Sequence, residues 1–149
     1  MASTGWGVVE LKNGKIKYLG HGEIKTKPDR HIAERLLIIM QSVRTVIETY
    51  KPNEAAVEIL FFGKNVSSAI PVAEARGVVF AVLAECGLHI WEFRPNAIKQ
   101  GVSGVTSADK KQVQEMVKIL LGLGELPKPD HAADALAAAI CAANSVMGN

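Results

Sequence analysis

The sequence predicts an α/β domain in which a mixed five-stranded sheet is flanked by helices. Two observations support this class: an Asn-Gly turn near the amino terminus joins segments of alternating polarity, and two later apolar strands are separated by a segment of helix length. Parallel strands need a helix-sized crossover between them. We therefore expect three antiparallel strands followed by two parallel strands.

Length and composition fit one domain over residues 1–149. The chain is 48% hydrophobic and its mean hydropathy is +0.15, which is typical of a folded globular protein. The net charge of +2 is too small to indicate nucleic-acid binding by itself, so a basic surface must come from local clustering. No leader pattern and no apolar span of about 18 residues is recognisable, and a cytoplasmic location is expected.

Cysteine usage points to a reducing compartment. Cys86 and Cys141 are far apart and form no Cys-x-x-Cys pair. This pattern is typical of buried free thiols rather than of a disulfide or a zinc site.

The first part of the chain predicts a three-stranded meander. Residues 6–10 alternate loosely, and Asn13-Gly14 favours a type I′ hairpin turn before a strand over residues 15–19. A third strand is expected over residues 22–26, ending before a proline that cannot donate to a ladder.

Helical periodicity begins at Asp29 and continues to Tyr50. We expect its apolar stripe to face the sheet. The stripe consists of Ile32, Leu36, Ile39, Met40, Val43, Ile47 and Tyr50. A strand around Glu58, a helix from about Ser67 to Ala84 and a strand over residues 88–93 follow.

The last third of the chain predicts two further helices. Thr106-Ser107-Ala108-Asp109 has the form of a capping box, and the helix that it opens should end at Gly122. The apolar positions of that helix are Val113, Met116, Val117, Leu120 and Leu121. The final helix, from Asp130 to about Ser145, is rich in alanine, and such small side chains let a helix lie very close to its neighbour.

Three side chains are candidates for a metal site. Glu58 lies in an otherwise apolar strand, although a strand-end acid that reaches solvent or an arginine would look the same. His131 and Asp134 share one face of the last helix, where capping and dipole compensation are the plain alternative. If that first turn meets the Glu58 strand, the three groups converge on a hard divalent cation such as Mg²⁺ or Mn²⁺.

Basic and aromatic residues surround the same locus, although a solvated surface would explain the lysines equally well. Lys110 and Lys111 begin a helix, where the dipole disfavours cations, so a nearby anion such as a phosphate is expected. Of Phe61 and Phe62, one could enter the core and the other stack on a base. The remaining lysines of this group are Lys64 and Lys99.

Short segments spread in order along the chain carry a family resemblance. They are Thr4-Gly-Trp-Gly-Val8, Glu58-Ile-Leu-Phe-Phe-Gly-Lys-Asn65, Ala75-Arg-Gly77, Lys99-Gln100, Ala108-Asp-Lys110, Gln112-Val-Gln-Glu-Met116 and His131-Ala-Ala-Asp-Ala-Leu136. With these spacings the chain resembles the RuvC family of bacterial Holliday-junction resolvases. The resemblance implies a ribonuclease-H-like fold.

The resemblance also implies an activity. Members are expected to be homodimeric endonucleases that nick four-way DNA junctions symmetrically during recombination and repair. The reaction would be two-metal hydrolysis with two Mg²⁺ ions per active site, or Mn²⁺ as a substitute. The RuvA–RuvB branch-migration complex is a candidate partner in the cell.

Residue roles follow from the resemblance by position. Glu58 and Asp134 would be metal-binding carboxylates, and His131 stands where members have Asp or His. Lys99 and Lys110 match basic residues near the scissile phosphate. The candidates for DNA contact are Phe61, as the base-stacking aromatic, with Phe62, Lys64, Arg76 and Lys111. The second helix, with Arg76-Gly77, is the candidate for part of the dimer interface.

One departure from the family pattern bears on activity. Members begin with a strand reading approximately Ile-Asp-Pro-Gly, whose Asp binds metal, whereas this sequence starts at Met1 and its first carboxylate is Glu10. We expect a truncated resolvase with impaired catalysis, since a lost ligand misplaces the attacking water. A relative that binds junctions without cutting is the alternative, and a nuclease acting on RNA–DNA hybrids is a third.

Overall fold

A long antiparallel hairpin, a parallel strand pair and two groups of helices make up the protein. The computed structural model describes residues 2–59 and 66–148, with side chains over residues 3–59 and 69–148. In chain order the elements are β1 (Ala2–Lys12), β2 (Lys15–Thr26), α1 (Ile32–Tyr50), β3 (Glu54–Glu58), α2 (Val66–Glu85), β4 (His89–Phe93), α3 (Pro95–Ser103), α4 (Lys110–Leu121) and α5 (Asp130–Gly148).

The hairpin of β1 and β2 replaces the predicted meander. The turn is formed at Asn13 and Gly14, both with positive φ, as the dipeptide predicts. The expected third strand over residues 22–26 is wrong as a separate element, because β2 continues without a break and its last residue, Thr26, pairs with Ala2 at the start of β1. A register shift opposite Val8 and Val9 leaves Leu19 as the extra residue of a bulge, so the glycines around it do not interrupt the ladder.

The parallel pair of β3 and β4 is confirmed. Its ladder runs from Glu54 opposite His89 to Glu58 opposite Phe93. The α/β class is therefore correct, but the strand count is not: the described residues contain four strands in two pairs, β1–β2 and β3–β4, rather than five in one sheet. A cleft of about 600 Å³ separates the two pairs and is lined by β1, β3, α1 and α5.

The helices pack on opposite faces of the strands. Along β4, Glu92 meets Arg76 of α2, whereas Phe93 packs against the buried cluster of α3, α4 and α5. Successive side chains of a strand point to opposite faces, so α2 and α5 lie on opposite sides. The alanine-rich α5 contacts β1, β2 and β3, with Leu136 and Ile140 almost fully buried.

Several local predictions need correction. The capping box lies three residues later than expected, because the N-cap of α4 is Asp109 rather than Thr106: the Asp109 side chain accepts from the Gln112 amide, and the Gln112 side chain accepts from the Asp109 amide. Helix α3 was not predicted, although Pro95 at its first turn is a typical start signal.

The burial of two side chains differs from the prediction. Cys86 is exposed rather than buried because it follows the end of α2, whereas Cys141 is buried as expected and both thiols are free. Leu120 is 44% exposed, because its side of α4 faces away from the core.

The described part of the chain contains no helix that is long and apolar enough to cross a membrane.

Candidate active site

Glu58 is held at the carboxyl end of β3. It lies opposite Phe93 in the parallel ladder, and the Ile59 amide donates to the Phe93 carbonyl at 2.7 Å, which extends the pairing past Glu58. Side chains of residues paired in a ladder share one face of the sheet. Because Phe93 packs against the helical cluster that contains α5, Glu58 is directed to the same side.

Close packing brings the first turn of α5 to the strands. A Cβ atom on Gly5 of β1 would collide with the backbone of His131, and one on Gly7 would lie 2.7 Å from the Leu136 side chain. Ala132 and Ala133 are almost fully buried beside this contact. The glycines of β1 and the alanines of α5 therefore let the helix pack unusually close to the strand, as the alanine-rich sequence predicts.

The carboxylates of Glu58 and Asp134 interact electrostatically. Burial raises the pKa of Glu58, and the negative charge of Asp134 raises it further. Burial is also the main reason why the pKa of Asp134 is raised. Two acids that are partly withdrawn from water and repel each other favour a bound cation, and their oxygen atoms are the ligands that Mg²⁺ prefers.

Two lysines offset this repulsion. Lys110 Nζ lies 3.5 Å from Asp130 Oδ2 and 3.8 Å from Asp134 Oδ2. The charges of Lys110 and of Lys99 on α3 both lower the pKa of Glu58, and Lys110 also lowers that of Asp134. The predicted gathering of positive charge around Glu58 is thus present for these two lysines.

His131 lies on the exposed side of the first turn of α5, close enough for its charge to lower the pKa of Asp134. Within residues 3–59 and 69–148, no three or more His, Cys, Asp or Glu side chains are grouped so that they could hold a metal ion. The structure brings Glu58 and Asp134 together, and the three-ligand set that includes His131 stays a prediction.

The residues predicted to contact DNA do not interact directly with Glu58 and Asp134 in the described part of the structure. Phe61, Phe62 and Lys64 lie outside the described residues. Lys111 is exposed on the first turn of α4. Arg76 makes an ion pair of 3.0 Å with Glu92 and its guanidinium stacks 4.4 Å above the Phe80 ring, and its predicted DNA contact stays a prediction.

Comparison with known proteins decides the family. The model of the family "Crossover junction endodeoxyribonuclease RuvC" matches residues 1–142. The chain belongs to the RuvC family. The RuvC of Treponema denticola is 49% identical over 97% of this chain and 81% of its own length. The RuvC of Treponema pallidum (strain Nichols) is 44% identical over 100% of this chain and 76% of its own.

Solved RuvC structures share the fold. Thermus thermophilus RuvC superposes with a TM-score of 0.87 at 32% identity, covering 100% of this chain and 92% of that one. A structure of T. thermophilus RuvC in complex with a Holliday junction substrate gives 0.88 at 36% identity, covering 95% and 87%. The ribonuclease-H-like fold implied by the sequence is therefore confirmed.

Sequence reasoning missed one residue of this candidate site. Asp130 accepts from Gln114 Nε2 at 3.0 Å and lies beside Lys110, so it links α4 to the start of α5. The available signal was the i, i+4 spacing of Lys110 and Gln114, which puts both on one face of α4. The spacing does not reveal that this face of α4 contacts Asp130, because that contact depends on how α4 packs against α5.

Proposed function

We propose that this chain is a Holliday-junction resolvase, an endonuclease that nicks four-way DNA junctions in pairs during recombination and repair. The observation that carries the proposal is the likeness to RuvC bound to a Holliday junction, which extends over 95% of the chain. The coupled Glu58 and Asp134 carboxylates, with Lys99 and Lys110 beside them, support the same activity. A bacterial enzyme acting on such DNA would work in the cytoplasm.

The chemistry of the pair fits a hard divalent cation. Glu58 and Asp134 would hold Mg²⁺ or Mn²⁺ through their carboxylate oxygens, with His131 as a further ligand. When bound, two such ions lower the pKa of the attacking water and stabilise the leaving oxygen. Lys99 and Lys110 would bind the scissile phosphate and offset the charge that develops on it.

DNA contact would extend beyond this centre. Phe61 would stack on an unpaired base at the crossover, and Phe62 and Lys64 are further candidates for DNA contact. Lys111 is exposed next to Lys110 and would add a phosphate contact. Arg76, already paired with Glu92, would contact DNA from α2.

We also propose a homodimer, since paired nicks need two active sites. Helix α2 supports this interface because Ile70 and Val72 are 52% and 45% exposed and Gly77 faces open space. A helix that is apolar on several faces is normally buried. Sedimentation equilibrium should give a dimer, and Ile70→Asp should shift it to a monomer. The RuvA–RuvB complex stays a candidate partner.

A junction-binding protein that does not cut is the second candidate. The observation in its favour is that the described residues contain no ready group of three metal ligands. Mg²⁺ takes about six ligands and two protein carboxylates supply few of them. We therefore propose that the carboxylates of the described residues hold the metal ions only weakly by themselves, and that a further carboxylate, supplied by a front reading Ile-Asp-Pro-Gly, raises the nicking rate.

Substrate choice tests the proposal. The extended chain would be incubated in Mg²⁺ with a labelled four-way junction, the matching linear duplex and a linear RNA–DNA hybrid. A resolvase should nick only the junction, at symmetric positions. Binding of the junction without any nicking would favour the second candidate, and cutting of the hybrid would identify a different nuclease of the same fold.

A further inference from the structure

His21 connects the hairpin to the segment that precedes α5. On β2, its Nδ1 lies 2.7 Å from the Tyr18 hydroxyl, and its Nε2 lies 3.1 Å from the carbonyl oxygen of Lys128. A backbone carbonyl can only accept, so Nε2 must carry the hydrogen and donate it. In the neutral ring Nδ1 is then an acceptor, and Tyr18 donates to it. Both ring nitrogens are thus used, and the ring has one orientation.

The carbonyl held by His21 lies at the start of α5. Lys128 is followed by Pro129, whose own carbonyl accepts from the amides of Ala132 and Ala133 at 3.0 and 3.1 Å. These are the first backbone hydrogen bonds of the helix that carries His131 and Asp134. A shift of residues 128–129 would therefore move the first turn and both side chains with it.

The other end of the connection is firmly placed. His21 lies opposite Gly7 in the β1–β2 ladder, and Gly7 is the residue on which Leu136 of α5 packs. Tyr18 packs against the buried cluster of α3, α4 and α5. His21 thus belongs to the strand pair that supports α5, and it reaches from there to the residue before its N-cap.

We infer that His21 is a positioning residue for the active site: through the Lys128 carbonyl it fixes the start of α5, and so the placement of Asp134 relative to Glu58. The relevance to catalysis rests on the proposed function, whereas the placement of the helix does not. A one-ångström displacement of a reacting group is enough to slow an enzyme about 100-fold, so a residue with no substrate contact can matter.

Amide hydrogen exchange tests the inference without metal or DNA. In EDTA, His21→Ala should accelerate exchange at Ala132 and Ala133 by about 3- to 10-fold, the range expected for loss of one net hydrogen bond. Val113 and Val117 of α4 serve as internal controls and should keep their rates. His21→Gln, whose side-chain amide can still donate to Lys128, should restore most of the protection.

The outcomes separate positioning from general stability. Unchanged exchange at Ala132 and Ala133 in His21→Ala would overturn the inference, and so would equal acceleration at Val113 and Val117. If the nuclease proposal fails, the exchange result is unaffected. If it holds, His21→Ala should also raise the Mg²⁺ concentration for half-maximal nicking while junction binding in EDTA stays unchanged.

Discussion

Lys110 and Asp134 form an ion pair between the first turns of two helices, with 3.8 Å between Nζ and Oδ2. Lys110 is the first residue of α4, where the helix dipole disfavours a cation, and Asp130 at 3.5 Å adds a second carboxylate. The sequence predicts an anion near Lys110, and the carboxylates of Asp130 and Asp134 provide this negative charge within the protein. Lys110 also lowers the pKa of both Glu58 and Asp134, so their ionisation depends on it.

Replacement of Lys110 should change the pH dependence of nicking. Lys110→Met removes a charge that lowers the pKa of Glu58 and Asp134, so both acids should ionise at higher pH. The acidic limb of the rate profile should move to higher pH, and the maximal rate should fall about 100-fold. Lys111→Met, its exposed neighbour, is the matched control and should leave the limb in place. An unshifted limb in Lys110→Met would contradict the electrostatic account.

Neutralising the acid pair should stabilise the metal-free fold. The pKa of each carboxyl is raised, so the folded state binds protons more tightly than the unfolded state, and the free energy of unfolding falls as pH rises past the ordinary values of 4.5 and 3.8. Glu58→Gln and Asp134→Asn should therefore raise the melting temperature in EDTA at pH 7, with little effect at pH 3.

Thermal denaturation followed by circular dichroism measures this effect. Glu125→Gln, an exposed acid outside the site, should change nothing. A lower melting temperature for both Glu58→Gln and Asp134→Asn at pH 7 would show that the pair stabilises the fold rather than straining it.

The fold class and the site could be predicted to different depths. The helix crossover between β3 and β4, the Asn13-Gly14 turn and the alanine-rich α5 follow from local rules of spacing and propensity, and they are confirmed. The continuous β2 could not be predicted, because Gly20 and Gly22 suggest that the strand ends there. Only the pairing with β1 reveals the bulge at Leu19 that lets the strand continue. Bulges depend on the pairing partner rather than on the strand itself.

Alanine at Gly5 should displace α5. A Cβ atom there meets the backbone of His131, which cannot move aside as a flexible side chain could. Gly5→Ala should lower the free energy of unfolding by about 1–3 kcal/mol, as overpacking does elsewhere. Urea denaturation measures the change. Gly124→Ala, which meets open space, is the control, and equal stability of the two variants would argue against close packing of α5 on β1.

The two cysteines should differ in reactivity. Burial raises the pKa of the Cys141 thiol to about 11, whereas Cys86 is exposed. The thiolate is the reactive form, so at pH 8 a thiol reagent should modify Cys86 quickly and Cys141 only after unfolding. Cys86→Ser should remove the fast phase of a spectrophotometric assay. A fast phase that survives in this variant would place Cys141 at the surface.

The electrostatic pairing across the site was harder to predict than its residue types. Glu58, Asp134, Lys99 and Lys110 were identified from motifs and lie within electrostatic reach. Asp130 was missed, since its partners Gln114 and Lys110 are brought to it only by the packing of α4 on α5. Such contacts join segments whose relative placement no local pattern determines.

The most direct test of the central claim is metal-dependent nicking of a labelled four-way junction by the chain with an Ile-Asp-Pro-Gly front, compared with its Glu58→Gln variant. Junction binding would be measured in EDTA for both. We expect equal binding, and a nicking rate in Mg²⁺ that falls at least about 100-fold in Glu58→Gln, because on the proposed mechanism this substitution removes a metal ligand. Undiminished cutting by Glu58→Gln would contradict the assignment of this carboxylate pair as the active site.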